Sequence, residues 1–135
     1  MNTATARYAG HLRTEATHTA SGNTILTDAP VDNHGRGEAF SPTDLVSAAL
    51  GSCMMTIMGI VAERLALNLT GVTYEVTKHM AADPRRIRQI DVQFHLPATL
   101  STKERTVLEN AARTCPVALS LNPEIRQEVQ FEYAG

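Results

Sequence analysis

The longest hydrophobic pattern in the chain runs from Leu45 to Ala62, a stretch that contains no charged residue. As a helix it would extend for about 27 Å. Just before it, Ser41 suits the N-cap, Pro42 suits the first helical position, and Asp44 completes a capping box. A helix that is apolar on every side is buried in protein or in a membrane. The pattern therefore predicts a long helix within residues 40–67 that other parts of the protein cover.

A membrane span is the alternative interpretation of this helix. Small and polar residues interrupt the run, and no cluster of Lys or Arg flanks it. Its length is also at the lower limit for a span. We therefore expect a central buried helix and no membrane partner. Because a chain of 135 residues has few elements with which to cover such a helix, we also expect a dimer whose partners bury each other's helices.

Alternating polar and apolar residues predict strands on both sides of the helix. Upstream, residues 3–19 predict one or two strands bent near Gly10-His11, and residues 23–27 predict a further short strand. Downstream, residues 72–80 form one alternating segment, and Arg88, Ile90, Val92, Phe94 and Leu96 share one face of the next. These two downstream segments predict a hairpin.

A second capping box, Ser101 with Glu104, predicts a helix that ends near Arg113. Cys115 then precedes Pro116 and suits the N-cap of a short helix, before a closing strand over residues 125–133. The element order is β-meander, long helix, hairpin, helix and strand. This order predicts an α+β fold with a mainly antiparallel sheet, formed by a single domain over residues 1–135.

Composition and charge narrow the function classes. The net charge of −2 gives no electrostatic reason to expect nucleic acid or an anionic membrane as partner. Residues 1–10 are polar and lack the apolar segment of a signal peptide. Because the chain has two cysteines and no recognisable targeting signal, we expect a cytoplasmic protein whose thiols are free or redox-active.

Motifs for most kinds of catalytic site are missing. The five histidines show no metal-site spacing, so we expect no metal. No phosphate-binding glycine loop or nucleophile elbow occurs, and we expect no cofactor. Two cysteines and nearby arginines remain. Cys53 lies at the midpoint of the apolar helix, where a cysteine is often a small core residue.

The sequence around the cysteines resembles a known family. The segment from Phe40 to Cys53, FSPTDLVSAALGSC, followed much later by Cys115-Pro116-Val117, is similar to the OsmC/Ohr family of osmotically induced and organic-hydroperoxide-resistance proteins. The resemblance covers essentially the whole chain. It implies an OsmC-like fold and an intertwined homodimer with two active sites at the subunit interface. It also implies a thiol peroxidase in which Cys53 attacks the peroxide and Cys115 resolves.

The chain departs from the peroxidase members at two points. Those members carry a Glu directly after the Asn-Pro of the motif, whereas here Thr43 follows Ser41-Pro42 and Asp44 is the nearest carboxylate. They also use an Arg to hold the cysteine as a thiolate, and the match is divided between Arg13 and Arg36. The Ser-Pro-Thr-Asp version resembles the broader OsmC-like branch of the family.

Physical chemistry also requires a cation near Cys53. Only a thiolate attacks a peroxide well, and burial in apolar surroundings disfavours the thiolate. Cys53 is about 16 Å along the helix from Pro42, beyond the reach of the macrodipole. A guanidinium suits the task because it is permanently charged. Arg36 is favoured over Arg13, since its loop leads into the helix, and either residue can come from the partner chain.

Several functional hypotheses stay open. The first is reduction of organic hydroperoxides, with Met54, Met55 and Met58 either lining an apolar pocket or simply packing the core. By resemblance, the reductant is a dithiol such as a lipoylated protein. The second is a redox sensor, or a thiol protein that binds small electrophiles without strong turnover. The third is a structural protein with inert cysteines. The two thiols can also exchange roles, since local electrostatics at a helix start would make Cys115 the more acidic.

Overall fold

The chain forms, in order, β1 (Ala4–Gly10), β2 (Arg13–His18), β3 (Thr24–Asp28), a 3₁₀ turn (Val31–Asn33), α1 (Pro42–Arg64), β4 (Thr73–Ala82), β5 (Arg85–Pro97), α2 (Thr102–Arg113), α3 (Pro116–Ser120) and β6 (Arg126–Ala134). This computed structural model describes residues 1–135. The predicted order of elements and the α+β class are confirmed. The chain is divided into a first unit, residues 1–46, and a second unit, residues 47–135. That residues 1–135 form one domain stays a prediction.

The first unit is built on an antiparallel sheet in the order β1-β2-β3. The turn between β1 and β2 has positive φ at Gly10, His11 and Leu12. Neighbouring strand residues point to opposite faces, and both Ile25 (51% exposed) and Leu26 (40% exposed) are open to solvent. Both faces of this sheet therefore carry exposed apolar side chains.

The loop after β3 folds back on itself and delivers the chain to α1. The Asp28 N–H donates to the Phe40 carbonyl (3.1 Å), and the Gly37 N–H donates to the Ala29 carbonyl (3.2 Å). A Cβ at Gly35 would lie 1.7 Å from the Ala29 oxygen, so this close approach requires glycine. The loop is thus closed by its own backbone rather than by an apolar core.

The start of α1 is the predicted capping box. The Asp44 N–H donates to Ser41 Oγ (3.0 Å), and the Ser41 N–H donates to Asp44 Oδ2 (3.0 Å). Pro42 is the first helical residue. The second predicted box, at the start of α2, is present as well, with Ser101 and Glu104 exchanging the equivalent bonds.

The second unit contains the hydrophobic core. Its sheet has the order β4-β5-β6, and the inward residues of β5 are almost fully buried: Ile90, Val92, Phe94 and Leu96. All strand pairs in the chain except β5–β6 are antiparallel. The mainly antiparallel pattern is confirmed, although the chain has two separate sheets. The β5–β6 pair is parallel because two helices, α2 and α3, carry the chain back across the sheet.

One detail of the predicted alternation is wrong. The register between β4 and β5 shifts at His79/Met80, so that Met80 pairs with Ile87 and His79 with Gln89. Ile87 is therefore buried (7% exposed) and Arg88 is exposed. A bulge of this kind adds one residue to a strand and reverses its in–out phase, which strict alternation does not anticipate.

The long helix α1 is covered along one side only. Leu50, Met54 and Met58 are completely buried. The opposite side remains apolar and open, with Ile60 43% exposed. By length and composition α1 is also able to cross a membrane, a property shared by core helices of water-soluble proteins, and 33% of its apolar window is buried inside the chain.

Candidate active site

The helix α1 approaches β4 closely just before Cys53. A Cβ at Gly51 would lie 2.8 Å from Val76 Cγ2 and 3.0 Å from the Tyr74 ring, so only glycine allows the helix to sit this near the strand. Cys53 follows two residues later and is half-buried against the core. Its side chain is thus fixed by packing but not sealed from solvent.

Cys115 is the N-cap residue of α3, as predicted. Its Sγ accepts the Ala118 N–H (3.4 Å), and its carbonyl accepts the Leu119 N–H (3.1 Å). Pro116 follows as the first helical residue, where its missing N–H has no cost. Cys115 is completely buried. The short helix therefore presents a buried thiol at its first turn.

The two thiols meet in the second unit. Both cysteines are free, and Cys53 lies near enough to Cys115 to raise the pKa of the Cys115 thiol. Cys53 Sγ also accepts the backbone N–H of Val117, at 3.5 Å. Residues far apart in sequence, on α1 and at the start of α3, thus form a dithiol pair within one chain. A sulfenic acid formed on one of two neighbouring thiols can condense with the other to form a disulfide.

Burial opposes the alternative in which Cys115 is the more acidic thiol. Burial raises the pKa of Cys115, and this outweighs the Ala118 N–H, which acts in the opposite direction. The neighbouring Cys53 side chain raises the pKa of Cys115 further. Local helix-start electrostatics is therefore overruled by desolvation. A buried, protonated thiol is better suited to condense with an oxidised cysteine than to be oxidised first.

Arg13 is engaged in the first unit. Its Nε donates to Asp28 Oδ1 (2.7 Å) and a terminal nitrogen donates to Asp28 Oδ2 (2.8 Å), a bidentate pair. Asp28 is nearly inaccessible, with its side chain 1% exposed, and also accepts the Glu38 N–H (3.2 Å). The pKa of Asp28 is lowered mainly by its hydrogen bond from Arg13, and the pKa of Arg13 is raised in return. This guanidinium fastens the loop after β3.

Arg36 and Asp44 have different settings in the same unit. Arg36 is exposed on the loop after β3, and its charge contributes to lowering the pKa of Asp28. Asp44 accepts the Ser41 N–H in the helix cap. The catalytic roles predicted for Arg13, Arg36 and Asp44 stay predictions, whereas the capping role of Asp44 is direct.

Apolar groups surround the half-buried thiol along α1. One turn on either side of Cys53, Ala49 is exposed and Ile57 is half-buried. Met54 and Met58 pack in the core. Met55 is half-buried and lines a small cavity of about 210 Å³ near the end of the helix, whose lining includes neither cysteine. Of the three methionines, two therefore pack the core rather than line an open pocket.

The sequence did not identify one group of the site, the Val117 N–H that donates to Cys53 Sγ. The signal for it was present, since Pro116 has no N–H and the next residue supplies the first donor of the short helix. The sequence did not indicate that Cys53, 64 residues away, would be the acceptor. No group of three His, Cys, Asp or Glu side chains is arranged to hold a metal ion.

Comparison with protein families gives a match over most of the chain. Residues 35–130 match the family model described as OsmC-like protein. The matched segment contains α1 and α3, which carry the two cysteines. A comparison with curated proteins gave no match.

Solved structures reproduce the fold over nearly its full length. A protein from Psychrobacter arcticus 273-4, provisionally named as osmotic stress induced and as a detoxification response protein, is 49% identical with a TM-score of 0.95, covering 98% of this chain and 96% of that one. An organic hydroperoxide resistance protein OsmC from Legionella pneumophila is 18% identical (TM-score 0.75, 98% of both chains). A protein from Vibrio cholerae, provisionally named for organic hydroperoxide resistance and holding captopril in one of its active sites, is 16% identical (TM-score 0.70, 97% and 92%). At 18% and 16% identity, the last two structures show that the fold is shared and nothing more specific.

Proposed function

Because this chain belongs to the OsmC-like protein family, we propose that it reduces organic hydroperoxides with the Cys53–Cys115 pair. One observation carries the proposal: a half-exposed thiol, Cys53, and a completely buried thiol, Cys115, come together at the start of α3, where the Val117 N–H donates to Cys53 Sγ at 3.5 Å. The accessible sulfur is suited to meet the peroxide, and the buried one to resolve the product. Relatives of the same fold carry names of organic hydroperoxide resistance.

The proposed reaction has three balanced steps. The Cys53 thiolate attacks the distal peroxide oxygen, the O–O bond breaks, and the alkoxide leaves as the alcohol after taking a proton. Cys53 is then a sulfenic acid. Cys115 sulfur attacks the Cys53 sulfur, the S–O bond breaks, and water leaves as the disulfide forms. An external dithiol reduces this disulfide to two thiols and is itself oxidised to a disulfide.

The surroundings of Cys53 favour a substrate with an alkyl group over hydrogen peroxide. The neighbouring positions on α1, Ala49, Ile57 and Ile60, offer apolar surface and no charge. Burying an alkyl chain on such a surface contributes binding energy at about 25 cal/mol per Å² of apolar area. Hydrogen peroxide has no group with which to use it. We propose an external dithiol, such as a lipoylated protein, as the reductant.

The proposed working form is a homodimer in the cytoplasm. The uncovered apolar side of α1 and the uncovered faces of β1-β2-β3 are the surfaces that a second chain would bury. In the proposed assembly each active site lies at the subunit interface. Arg36, or Arg13, would then stabilise the Cys53 thiolate, from the same chain or from its partner.

Peroxide consumption and mass spectrometry test the proposal. The wild type should consume cumene hydroperoxide in the presence of dihydrolipoamide, faster than it consumes hydrogen peroxide. Cys115→Ser should trap an oxidised Cys53 after one equivalent of peroxide, and Cys53→Ser should leave Cys115 reduced. The opposite pattern would reverse the roles of the two thiols. A wild type in which neither cysteine is oxidised would refute the proposal and favour inert core cysteines.

A thiol sensor is the second candidate, favoured by one observation. Thr43 stands where peroxidase members of the family carry a glutamate, so a group associated with turnover is replaced. A sensor would form the Cys53–Cys115 disulfide once per equivalent of peroxide without sustained turnover. Steady-state consumption with excess dithiol distinguishes the two functions. Thr43→Glu should then raise turnover if this position limits it.

A further inference from the structure

The first turn of α3 has an unusual set of hydrogen-bond acceptors. Pro116 has no N–H, the Val117 N–H donates to Cys53 Sγ (3.5 Å), and the Ala118 N–H donates to Cys115 Sγ (3.4 Å). The next N–H, from Leu119, makes an ordinary helical bond to the Cys115 carbonyl (3.1 Å). Two successive backbone donors thus contact the dithiol pair, and the Val117 N–H also acts to lower the pKa of Cys115.

The two N–H groups differ in how far along the chain their acceptors lie. The Ala118 bond is local, since a residue at the N-cap ordinarily accepts the N–H two or three positions later. The Val117 bond is not local, because its acceptor lies on α1, 64 residues earlier in the chain. Nothing in the helical capping of α3 requires a partner on another helix. The contact therefore depends on where α1 places Cys53.

We propose that the backbone N–H of Val117 is a second electrostatic partner of the Cys53 thiolate, in addition to any arginine. A hydrogen bond to a charged acceptor is stronger than one to a neutral acceptor, so this N–H favours the ionised sulfur. It also holds Cys53 Sγ at a residue that follows Cys115 by two positions, and so keeps the two thiols in the same region. Cys115-Pro116-Val117 then acts as one unit that supplies the resolving thiol and the donor together.

The inference rests on the proposed function only in taking Cys53 as the attacking thiol. The donor is part of the backbone, so side-chain substitution cannot remove it. An amide-to-ester replacement removes the N–H and keeps the side chain. Cys115 is a natural ligation point: residues 1–114 are prepared as a thioester and joined to a synthetic peptide of residues 115–135, which restores the full chain.

Three semisynthetic proteins form a matched series, with esters at Val117, Ala118 or Leu119. Each loses one backbone donor in the same short helix. The ester at Leu119 removes a helical bond and touches neither sulfur, so it measures the structural cost alone. The semisynthetic protein with all amides is the reference. Thermal unfolding confirms that each protein is folded before its chemistry is compared.

The primary measurement is the rate of Cys53 alkylation by iodoacetamide as a function of pH, followed by mass spectrometry. The Val117 ester should slow alkylation at neutral pH roughly tenfold and move the profile to higher pH, which a purely structural loss would not do. The Ala118 and Leu119 esters should leave the Cys53 profile near the reference. A Val117 ester that matches the Leu119 ester in rate and profile would overturn the inference.

A substitution supplies an independent second route. Val117→Pro removes the same N–H within the first helical turn, where proline is tolerated, and Val117→Ala keeps the N–H while shortening the side chain. Val117→Pro should slow Cys53 alkylation and Val117→Ala should not. Equal effects of the two would also refute the inference. Since alkylation needs no peroxide, a failure of the proposed peroxidase function would appear separately, as an all-amide protein that resists oxidation.

Discussion

The two three-stranded sheets of this chain are similar in size and opposite in how they are stabilised. In the β4-β5-β6 sheet, Phe94 is fully buried and stacks on Phe131, with ring centroids 5.4 Å apart. In the β1-β2-β3 sheet the only buried strand residue is Asp28, held by Arg13. One sheet therefore rests on hydrophobic burial, and the other on backbone pairing and a buried ion pair.

The two units also differ in how much apolar surface each of them buries. A small sheet with both faces in water has little apolar burial to offset its conformational entropy. The apolar residues for such burial are present in the first unit but exposed: Tyr8, Leu12, Ile25 and Leu26. The sheet of the second unit buries its apolar side chains, whereas apolar side chains of the first unit and of α1 are exposed. This is the physical basis for the proposed dimer.

The largest expected effect tests the contrast directly. Phe94→Ala should destabilise the second unit by about 3–5 kcal/mol, because it opens a cavity at a fully buried site. Tyr8→Ala, at a residue that is 65% exposed, removes an aromatic of similar size from the first unit. Urea unfolding at low protein concentration should show a loss well below that of Phe94→Ala. Equal losses would mean that both sheets are buried to the same degree.

The second prediction concerns the open side of α1. Ile60→Glu should weaken dimerisation by at least about 100-fold, since an unpaired carboxylate is costly to bury in an interface. Thr106→Glu, at an exposed position on α2, is the matched control and should leave the dimer intact. Analytical ultracentrifugation over a range of concentrations measures both. A stable folded monomer of the wild type at micromolar concentration would refute the assembly.

Much of the fold was predictable because short-range sequence patterns determine where its helices begin. Ser41 with Asp44, and Ser101 with Glu104, predict helix starts from short-range chemistry, and both boxes are present. The bulge at Arg88 was not, because a single inserted residue leaves no trace in an alternating pattern. The parallel pairing of β6 was also missed, since it is decided by how α2 and α3 cross the sheet.

The candidate site also has features that local sequence predicts and features that depend on tertiary packing. Cys53 and Cys115 were identified from their motifs, and the N-cap position of Cys115 followed from the proline after it. Their proximity and the Val117 contact depend on long-range packing of α1 against α3. Local sequence indicates the helix start at Cys115 but not the depth of burial, which raises the pKa of this thiol. Sequence thus located the reactive groups, and tertiary packing determined their properties.

The third prediction asks whether the first unit supplies the cation for Cys53. Arg36→Ala should slow Cys53 alkylation at neutral pH by about tenfold, the effect of removing one nearby opposite charge. Arg13→Ala should chiefly destabilise the first unit, because it leaves Asp28 buried without its partner. Arg7→Ala, at an exposed arginine paired with Glu15, is the control. If neither Arg36→Ala, Arg13→Ala nor the double variant changes the alkylation rate, the arginine account is wrong.

The smallest expected effect appears only in acid, where the two units again differ. The pKa of Asp28 is lowered from its usual 3.8, mainly by the hydrogen bond from Arg13. The pKa of Asp91 in the second unit is also lowered, by Gln89 first and His79 second. A carboxyl whose folded-state pKa is depressed contributes stability that is present above its unfolded value. That stability is lost as the pH falls through the lower folded value.

Acid should therefore loosen the first unit more than the second. The Asp28 side chain is 1% exposed and that of Asp91 is 39% exposed, so solvent screens the second pair more. Hydrogen exchange, corrected for its intrinsic pH dependence, should show β1–β3 losing protection below pH 3.8 while β4–β6 remain protected by their core. Asp28→Asn should abolish this acid step in β1–β3, and Asp91→Asn should leave it unchanged. Protection of β1–β3 that stays constant through the carboxylate range would show that this sheet is stabilised by something other than its ion pair.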